Sequence, residues 1–541
     1  MTRETEFDLK NCPLDGRNLI EASAGTGKTY AISRIFLRLL LEKRFEVGKI
    51  LAVTFTEAAT EELKRRIRCM LYESKRAFET GTAAEPLLSE LLSRCDRQRA
   101  LESISAALRD FDTAAIYTIH GFCQLILYEN AFECNQPFNM ELITDQTEMF
   151  KEIADDFWRR HFLRTSSLFI AYTQHKKMTP ATLLYPLQRF AAQTNLTLTP
   201  QARVVETVQL EQAFEARRHE CRALWQNNRE MIVAALNTDS LDGRKYSART
   251  CTDLYADFEA FITSASPGPH LCDHFEKLTQ RFIEAAAKKG RPRVEHVFFQ
   301  QCEVLFDLAG QLCAAFDARL LALKSEFLSY AATELTARKE KRTVVYFDDL
   351  LSRVSNALLA GGGGRLAEAV QTRFRAALID EFQDTDPLQY AIFSTLFPQG
   401  SILFLIGDPK QAIYSFRGAD IFAYLKASTQ VERRYTLSVN YRSHPRLITA
   451  LNALFCNRPD AFVYNQIRYY PVSPRPADLS VADCGAAGES QLLLWILDRN
   501  TGSHTAEPLP VSTARLKIAE AVASEIGDSV RRRLPDFPHA T

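Results

Sequence analysis

The feature that most constrains the fold of this sequence is a glycine-rich turn between a strand and a helix. An apolar strand is predicted from Asn18 to Ala22, and a helix from Tyr30 to Leu41. The turn consists of Ala22, Ser23, Ala24, Gly25, Thr26, Gly27, Lys28 and Thr29, with alanine where the strict pattern begins with glycine. Its backbone N–H groups can bind phosphate oxygens, while Lys28 reaches the outer phosphates and the Thr29 hydroxyl ligates Mg²⁺. The turn therefore predicts a nucleoside triphosphate site.

A pair of acidic residues supplies the second part of such a site. Asp380 and Glu381 directly follow an apolar strand predicted from Ala376 to Ile379. The carboxyl ends of parallel strands meet at one edge, where Asp380 would hold the metal and Glu381 would orient and deprotonate a water. An acidic pair after a strand is by itself a common loop feature, so its meaning depends on the turn. We therefore expect Lys28 and Asp380 to meet in one pocket.

Alternating strand and helix patterns occur in two stretches of the chain, about residues 15–140 and 343–541. The region between them is rich in helix formers, and its last part, Leu305 to Arg342, contains no proline. Its tryptophans, Trp158 and Trp225, are predicted core residues. The expected fold class is therefore α/β, with a parallel sheet and a large helical insertion.

The composition excludes several classes of protein. Of the 541 residues, 46% are apolar and 24% charged, which excludes a disordered or collagen-like chain. The 66 basic and 66 acidic residues balance, so binding to a polyanion would depend on a local basic groove. The apolar runs are far shorter than the roughly 20 residues of a membrane span, and the charged N-terminus has no secretory pattern. We expect a cytoplasmic protein with no membrane contact.

Further motifs accompany the turn and the acidic pair. They are Thr54–Thr60, Tyr117–Phe122, Asp380–Asp386, Gly407–Asp420 and Asn440–Ser443. In this order they resemble the motifs of UvrD/Rep-like superfamily 1 DNA helicases. The turn with Glu21 before it, the segment Thr118–Cys123 and the segment Gly407–Tyr414 are most similar to the RecB branch of that family, the beta subunits of exonuclease V.

The resemblance implies a fold and a set of roles around ATP. The fold would be a RecA-like phosphate-loop domain. The nucleotide would be ATP with Mg²⁺, the ion being held by Thr29 and Asp380. Gln411 would sense the terminal phosphate, Tyr441 would stack on adenine, and Arg442 would cross a cleft between two sheets to stabilise charge on the transferred phosphoryl group.

The resemblance also implies contacts to DNA. A sequence-neutral grip on a single strand needs rings for stacking and cations for phosphates. The candidates by position in the motifs are Phe55, Thr56, His120, Tyr414, Phe416 and Arg417. Phe122 lies in the same motif as His120; the alternative for Phe55 and Phe122, less favoured here, is that they are core rings.

The resemblance divides the chain into four parts. Residues 1–144 and 343–432 would form the first RecA-like lobe, residues 145–342 an inserted 1B-like helical domain, and residues 433–541 the beginning of a second lobe. The implied function is an ATP-dependent 3′-to-5′ DNA helicase and translocase. It would act at double-strand break ends in recombinational repair, on single-stranded and duplex-end DNA, together with RecC- and RecD-like subunits.

Two alternatives remain open at this point. We find no match to the arginine motif of the family's second lobe, nor to the nuclease domain that ends RecB-type chains. The chain could therefore be a truncated, non-catalytic module that binds nucleotide and DNA. It could also be a subunit of the related AddA-type helicase-nuclease, which shares the ATP motifs.

Overall fold

The computed structural model describes residues 5–134, 140–190, 206–265, 268–360, 363–415, 418–458, 461–475, 492, 494–497 and 510–533. The chain divides into two compact units. The first comprises Met1–Ile116, Arg375–Pro387 and Gln399–Thr541, and the second comprises Tyr117–Phe374 and Leu388–Pro398.

The strands and helices are numbered along the chain. The strands are β1 (Thr5–Glu6), β2 (Arg17–Ala22), β3 (Ile50–Thr54), β4 (Ile116–Thr118), β5 (Glu141–Ile143), β6 (Val344–Tyr346), β7 (Ala376–Ile379), β8 (Ile402–Gly407), β9 (Arg433–Leu437), β10 (Val439–Asn440) and β11 (Ser473–Pro474). The helices are α1 (Lys28–Glu42), α2 (Glu57–Thr80), α3 (Pro86–Arg94), α4 (Arg97–Arg109), α5 (Ile119–Glu129), α6 (Thr147–His161), α7 (Ser167–His175), α8 (Pro180–Phe190), α9 (Val208–Leu236), α10 (Ala248–Thr263), α11 (Gln280–Ala286), α12 (Val297–Arg342), α13 (Phe347–Leu359), α14 (Gly363–Arg373), α15 (Pro387–Leu396), α16 (Ile421–Gln430), α17 (Pro445–Cys456) and α18 (Val511–Arg533). Short 3₁₀ turns span Val47–Lys49, Phe111–Thr113, Phe275–Leu278, Phe382–Asp384 and Pro409–Gln411.

The first unit is built on a seven-stranded sheet with the order β1-β9-β2-β8-β7-β3-β4. The pairings of β9 with β1 and β2, of β8 with β2 and β7, and of β7 with β3 are all parallel. The central strands are apolar runs buried on both faces, as parallel strands require. Side chains of the sheet such as Ile20 and Phe404 pack in one core with those of helices α1 to α4. The predicted α/β fold with a parallel sheet is confirmed.

Strand β9 lies in this same sheet, which differs from the expected start of a second lobe at residue 433. The register pairs Asn18 with Arg433 and Ala22 with Leu437, so β9 is a direct neighbour of the strand that leads into the turn. The reason is packing, because the Tyr435 ring enters the core of this sheet and meets Phe7 edge-on at 5.5 Å.

The apolar run over residues 491–497, inside the expected second lobe, forms no strand in the part of the chain that is described. Residues 492 and 494–497 form no strand, while 491 and 493 lie outside the described residues. Leu494, Trp495, Ile496 and Leu497 are exposed, so they bury little apolar surface against a neighbouring strand.

The second unit is mainly helical. Helices α6 to α12 surround one apolar core, and the 46-residue helix α12 contributes side chains to it along most of its length. Trp225 is fully buried in this core, and Trp158 packs against it with its ring stacked 4.1 Å from that of Phe162. Both tryptophans thus have the structural role that was predicted. None of the helices in the described residues could span a membrane.

Candidate functional site

The predicted phosphate-binding turn joins β2 to α1 in the first unit. Gly25 and Gly27 have φ angles of 80° and 93°, a left-handed conformation that glycine adopts without steric cost. The Thr26 side chain closes the turn by donating a 2.7 Å hydrogen bond to the Ser23 carbonyl. Gly27 caps α1 without a side-chain hydrogen bond, so the N–H groups of the first helical turn can serve an anionic ligand.

The lysine of the turn meets the paired acids. The Lys28 Nζ lies 2.5 Å from Glu381 Oε2, and its side chain is 12% exposed. Lys28 also acts electrostatically on Asp380, where its positive charge opposes the rise in pKa that burial causes. Sheet geometry explains the meeting, since β2 and β7 are parallel members of one sheet and present the turn and the acids at the same edge. Glu381 itself has a φ angle of 49°, an uncommon left-handed conformation for a residue with a side chain.

Two carboxyl groups beside Lys28 are poorly solvated. Burial, followed by the negative charge of Glu381, raises the pKa of Asp380 to about 6, and the same two causes raise the pKa of Asp384 to about 6. Lys28 offsets part of the shift in both cases. Such carboxylates favour a cation in their vicinity.

The residues present fit Mg²⁺ bound together with a nucleotide. Among the described residues, the buried Asp384 Oδ1 accepts no hydrogen bond, which is consistent with room for a water or an ion. The same residues contain no group of three or more His, Cys, Asp or Glu side chains that could hold a metal alone. A magnesium ion here would therefore depend on phosphate oxygens and waters in addition to Thr29 and Asp380.

Gln383 connects the acids to the end of β8. Its Nε2 donates to Glu381 Oε2 at 2.8 Å, and its Oε1 accepts from the Asp408 backbone N–H at 2.9 Å. A side chain at Gly407 would come within 2.6 Å of Gln383 Oε1, so a larger residue there would displace the Gln383 amide. Gln411, the predicted phosphate sensor, donates from Nε2 to Asp408 Oδ2 at 2.7 Å. Gln411 and Glu381 are thus linked through Asp408 and Gln383.

A buried ion pair joins β2 to the same turn after β8. Lys410 Nζ lies 2.7 Å from Glu21 Oε1 and 2.8 Å from Asp408 Oδ1, and the three side chains are at most 8% exposed. Burial opposes the charge on Lys410, but Glu21 and Asp408 together hold its pKa above the ordinary value. This pair fixes the residue that precedes the phosphate-binding turn.

The segment after β9 lies directly beside the turn. The Tyr441 backbone N–H donates to the Gly25 carbonyl at 2.9 Å, and the Tyr441 side chain is 56% exposed. Arg442 is exposed, with its Cβ against Gly25. Arg442 follows β10, which pairs with β11 apart from the seven-stranded sheet, and its reach across a cleft between two sheets stays a prediction.

The DNA candidates of the first unit include a pair of stacked rings. Phe55 follows β3 and Tyr414 follows β8, and their rings stack at 5.8 Å with an interplanar angle of 25°. Both are partly exposed. Thr56 caps α2 by accepting a hydrogen bond from the Ala59 N–H at 3.2 Å. Phe416 and Arg417 lie outside the described residues.

The remaining DNA candidate, His120, belongs to the second unit. It lies in the first turn of α5, partly exposed, with its ring edge-on to Phe347 at 6.0 Å. Phe122, which stood where the family has strand contacts, is fully buried between Phe374 and Phe393, at 5.9 and 5.7 Å. Its ring is a core ring, because it points to the opposite side of α5 from solvent.

Four residues of the site were not singled out from the sequence as functional. They are Glu21, Gln383, Lys410 and Asn440, and all lie within the motifs quoted above. A signal existed for Lys410, since a lysine next to an apolar parallel strand requires a carboxylate partner when it is buried. No comparable signal marks the amides of Gln383 and Asn440.

Comparison with known proteins agrees with this geometry. The sequence profile of the UvrD/REP helicase N-terminal domain matches residues 4–432. The RecBCD enzyme subunit RecB of Escherichia coli K12 is 35% identical over 519 residues, which are 92% of this chain and 41% of that protein. The same subunit of Haemophilus influenzae is 33% identical over 515 residues, 86% of this chain and 42% of that protein. The chain thus spans about two fifths of the length of these relatives.

Proposed function

The chain belongs to the UvrD/REP helicase family, and we propose that it is an ATP-dependent DNA helicase and translocase of the RecB type. The observation that supports the proposal most strongly is the meeting of Lys28 with Asp380 and Glu381 at the edge of one parallel sheet. A phosphate-binding turn opposite paired acids is the arrangement that nucleotide hydrolysis requires.

The contacts of Lys28 suggest how the site responds to ATP. The Lys28 ammonium forms an ion pair with the Glu381 carboxylate. A triphosphate on the turn would compete for Lys28 and leave the Glu381 carboxylate available to orient a water and accept its proton. Mg²⁺ near Thr29 and Asp380 would neutralise charge on the outer phosphates. Arg442 and Gln411 would stabilise the terminal phosphate, and Tyr441 would stack on adenine.

DNA would bind through stacking and phosphate contacts. The partly exposed Phe55–Tyr414 pair offers the flat apolar faces on which bases of a single strand stack. Phe416 would add a further ring for stacking, and Thr56, His120 and Arg417 would add polar and cationic contacts. We further propose 3′-to-5′ movement, action at double-strand break ends in recombinational repair, work with RecC- and RecD-like partners, and a cytoplasmic location.

The test is ATP hydrolysis with and without single-stranded DNA. We expect DNA-stimulated turnover that falls at least a hundredfold in Lys28→Ala, because that change removes the charge that meets the outer phosphates. Lys64→Ala is the matched control, since Lys64 is an exposed lysine on α2 that pairs with Glu61. Nucleotide and DNA binding without turnover would instead support a non-catalytic binding module.

The direction of movement needs a separate experiment. Partial duplexes with either a 3′ or a 5′ single-stranded tail would be offered with ATP, and strand separation would be measured. Separation only with the 3′ tail is expected. Separation of the 5′-tailed substrate would overturn the proposed direction and leave the helicase assignment intact.

A further inference from the structure

The Asn440 side chain joins the phosphate-binding turn to the segment that carries Tyr441 and Arg442. Its Nδ2 donates to the Ala24 carbonyl at 2.9 Å. Its Oδ1 accepts from the backbone N–H groups of Arg442 and Ser443, each at 2.9 Å. The residue is 6% exposed. The partners fix the orientation of the amide, because the opposite orientation would place NH₂ against two N–H donors and oxygen against a carbonyl.

Two further contacts hold the same segments together. The Tyr441 N–H donates to the Gly25 carbonyl at 2.9 Å. A side chain at Gly25 would come within 2.8 Å of both Arg442 Cβ and Asn440 Oδ1. The glycine therefore has two functions, since it permits the left-handed φ of the turn and leaves space for the neighbouring segment. The backbone of residues 440–443 is seated directly on the turn.

We propose that Asn440 is a positioning residue that sets Tyr441 and Arg442 beside the nucleotide before the nucleotide binds. This inference rests on the proposed function, because it assigns the nucleotide to the turn. Both side chains are exposed, so without the hydrogen bonds of the Asn440 side chain their backbone would sample several positions. Because the backbone is fixed in advance, the entropic cost of nucleotide binding is lower.

A consequence concerns Arg442. Its backbone is tied to the phosphate-binding turn, and β9 is paired with β2. The arginine therefore moves with the turn. Its contact with a terminal phosphate would therefore be set by the position of the turn.

The test is a double-mutant cycle in nucleotide affinity, with MgADP and MgATP titrated calorimetrically in the absence of DNA. Asn440→Ala and Tyr441→Ala should each weaken MgADP binding about tenfold, an effect of the size found for coupled contacts. The double variant should have an MgADP affinity within about twofold of that of Tyr441→Ala, because Asn440 affects MgADP binding only by positioning the Tyr441 ring. In Asn440→Ala the affinity for MgATP should fall more than the affinity for MgADP, because Arg442 is also displaced from the terminal phosphate.

Two other variants separate positioning from general stability. Asn440→Asp keeps both accepted bonds but places an oxygen against the Ala24 carbonyl, so we expect it to weaken both nucleotides as well. Asn452→Ala is the matched control, since the Asn452 amide bonds the Val472 carbonyl and N–H and the Tyr469 hydroxyl. It should lower the melting temperature and leave nucleotide affinity unchanged.

The outcomes distinguish this inference from the proposed function. If Lys28→Ala loses MgATP binding while both Asn440 variants bind as the wild type does, the positioning role of Asn440 is refuted and the proposed nucleotide site is retained. If the fold-losses of MgADP affinity in Asn440→Ala and Tyr441→Ala multiply in the double variant, Asn440 acts independently of the Tyr441 ring and the inference is overturned. If the wild-type chain binds neither nucleotide, both are wrong.

Discussion

Replacing Asp380 by asparagine should stabilise the nucleotide-free protein at neutral pH and abolish ATP hydrolysis. Burial and the charge of Glu381 raise the pKa of Asp380 to about 6, and Lys28 offsets only part of that rise. The carboxylate is thus kept for its ligand at a cost to the stability of the empty protein. Stability exchanged for function in this way is common at catalytic sites.

The magnitude follows from the shift. A rise of the Asp380 pKa from 3.8 to about 6 corresponds to about 3 kcal/mol at neutral pH, and partial exposure of the residue reduces this to about 2 kcal/mol. The folded protein binds this proton more tightly than the unfolded chain does. The penalty is therefore absent well below pH 4, grows as pH rises from 4 to 6, and is constant above 6. An asparagine carries no such penalty at any pH.

Urea denaturation of the nucleotide-free protein at pH 5 and pH 7.5 measures this directly. We expect Asp380→Asn to raise the free energy of unfolding by about 2 kcal/mol at pH 7.5 and by about half as much at pH 5. Asp253→Asn, an exposed change on α10, is the control and should alter neither value. A variant that is less stable than the wild type at pH 7.5, or a difference that does not vary with pH, would refute the reasoning.

Three further changes test other contacts. Lys410→Met leaves two buried carboxylates without their cation and should lower the free energy of unfolding in urea by about 3–5 kcal/mol. Adding Glu21→Gln should restore part of that loss. A loss under about 1 kcal/mol would mean that the ion pair is solvated. Gly25→Ala places a side chain in a left-handed conformation 2.8 Å from Arg442 Cβ, so MgATP affinity in calorimetry should fall at least about tenfold, and unchanged affinity would contradict the close approach. Phe122→Ala should cost about 3–5 kcal/mol in urea while the folded fraction keeps its affinity for single-stranded DNA in fluorescence anisotropy, whereas selective loss of DNA binding would restore the strand-contact role.

The arrangement of the candidate nucleotide site could be predicted in outline from the sequence, because its parts obey local rules. A strand, a glycine-rich turn and a helix form in the same order wherever they occur, and the ends of parallel strands share one edge. Lys28 could therefore be expected to meet Asp380, with Glu381 beside it, without knowledge of which strands are neighbours. Strand β7 was likewise recognisable as a short apolar run.

The features that sequence patterns did not yield depend on which elements are neighbours. β9 carries Arg433 and Arg434 and is only partly buried, so its membership of the first sheet is decided by pairing with β2. Phe122 is one residue from a motif glycine, and only the packing of α5 shows which side of the helix it occupies. The bonds of Asn440 likewise require that β9 be the neighbour of β2.

The contacts around the turn lead to a view of how the site can work. Side chains tie the turn and its flanks to three neighbouring segments, by Glu21–Lys410 after β8, Lys28–Glu381 after β7, and Asn440 with the Ala24 carbonyl after β9. The first and third ties are buried and involve atoms that a phosphate would not displace. Only the Lys28–Glu381 pair lies where an anionic ligand competes.

A triphosphate would therefore break one ion pair and leave the other two contacts in place. The freed Glu381 carboxylate is hydrogen-bonded to Gln383, which accepts from the backbone N–H of Asp408, and the Asp408 side chain binds Gln411. The change at the phosphates would reach the end of β8, and from there the Phe55–Tyr414 rings, over a few hydrogen-bonded residues.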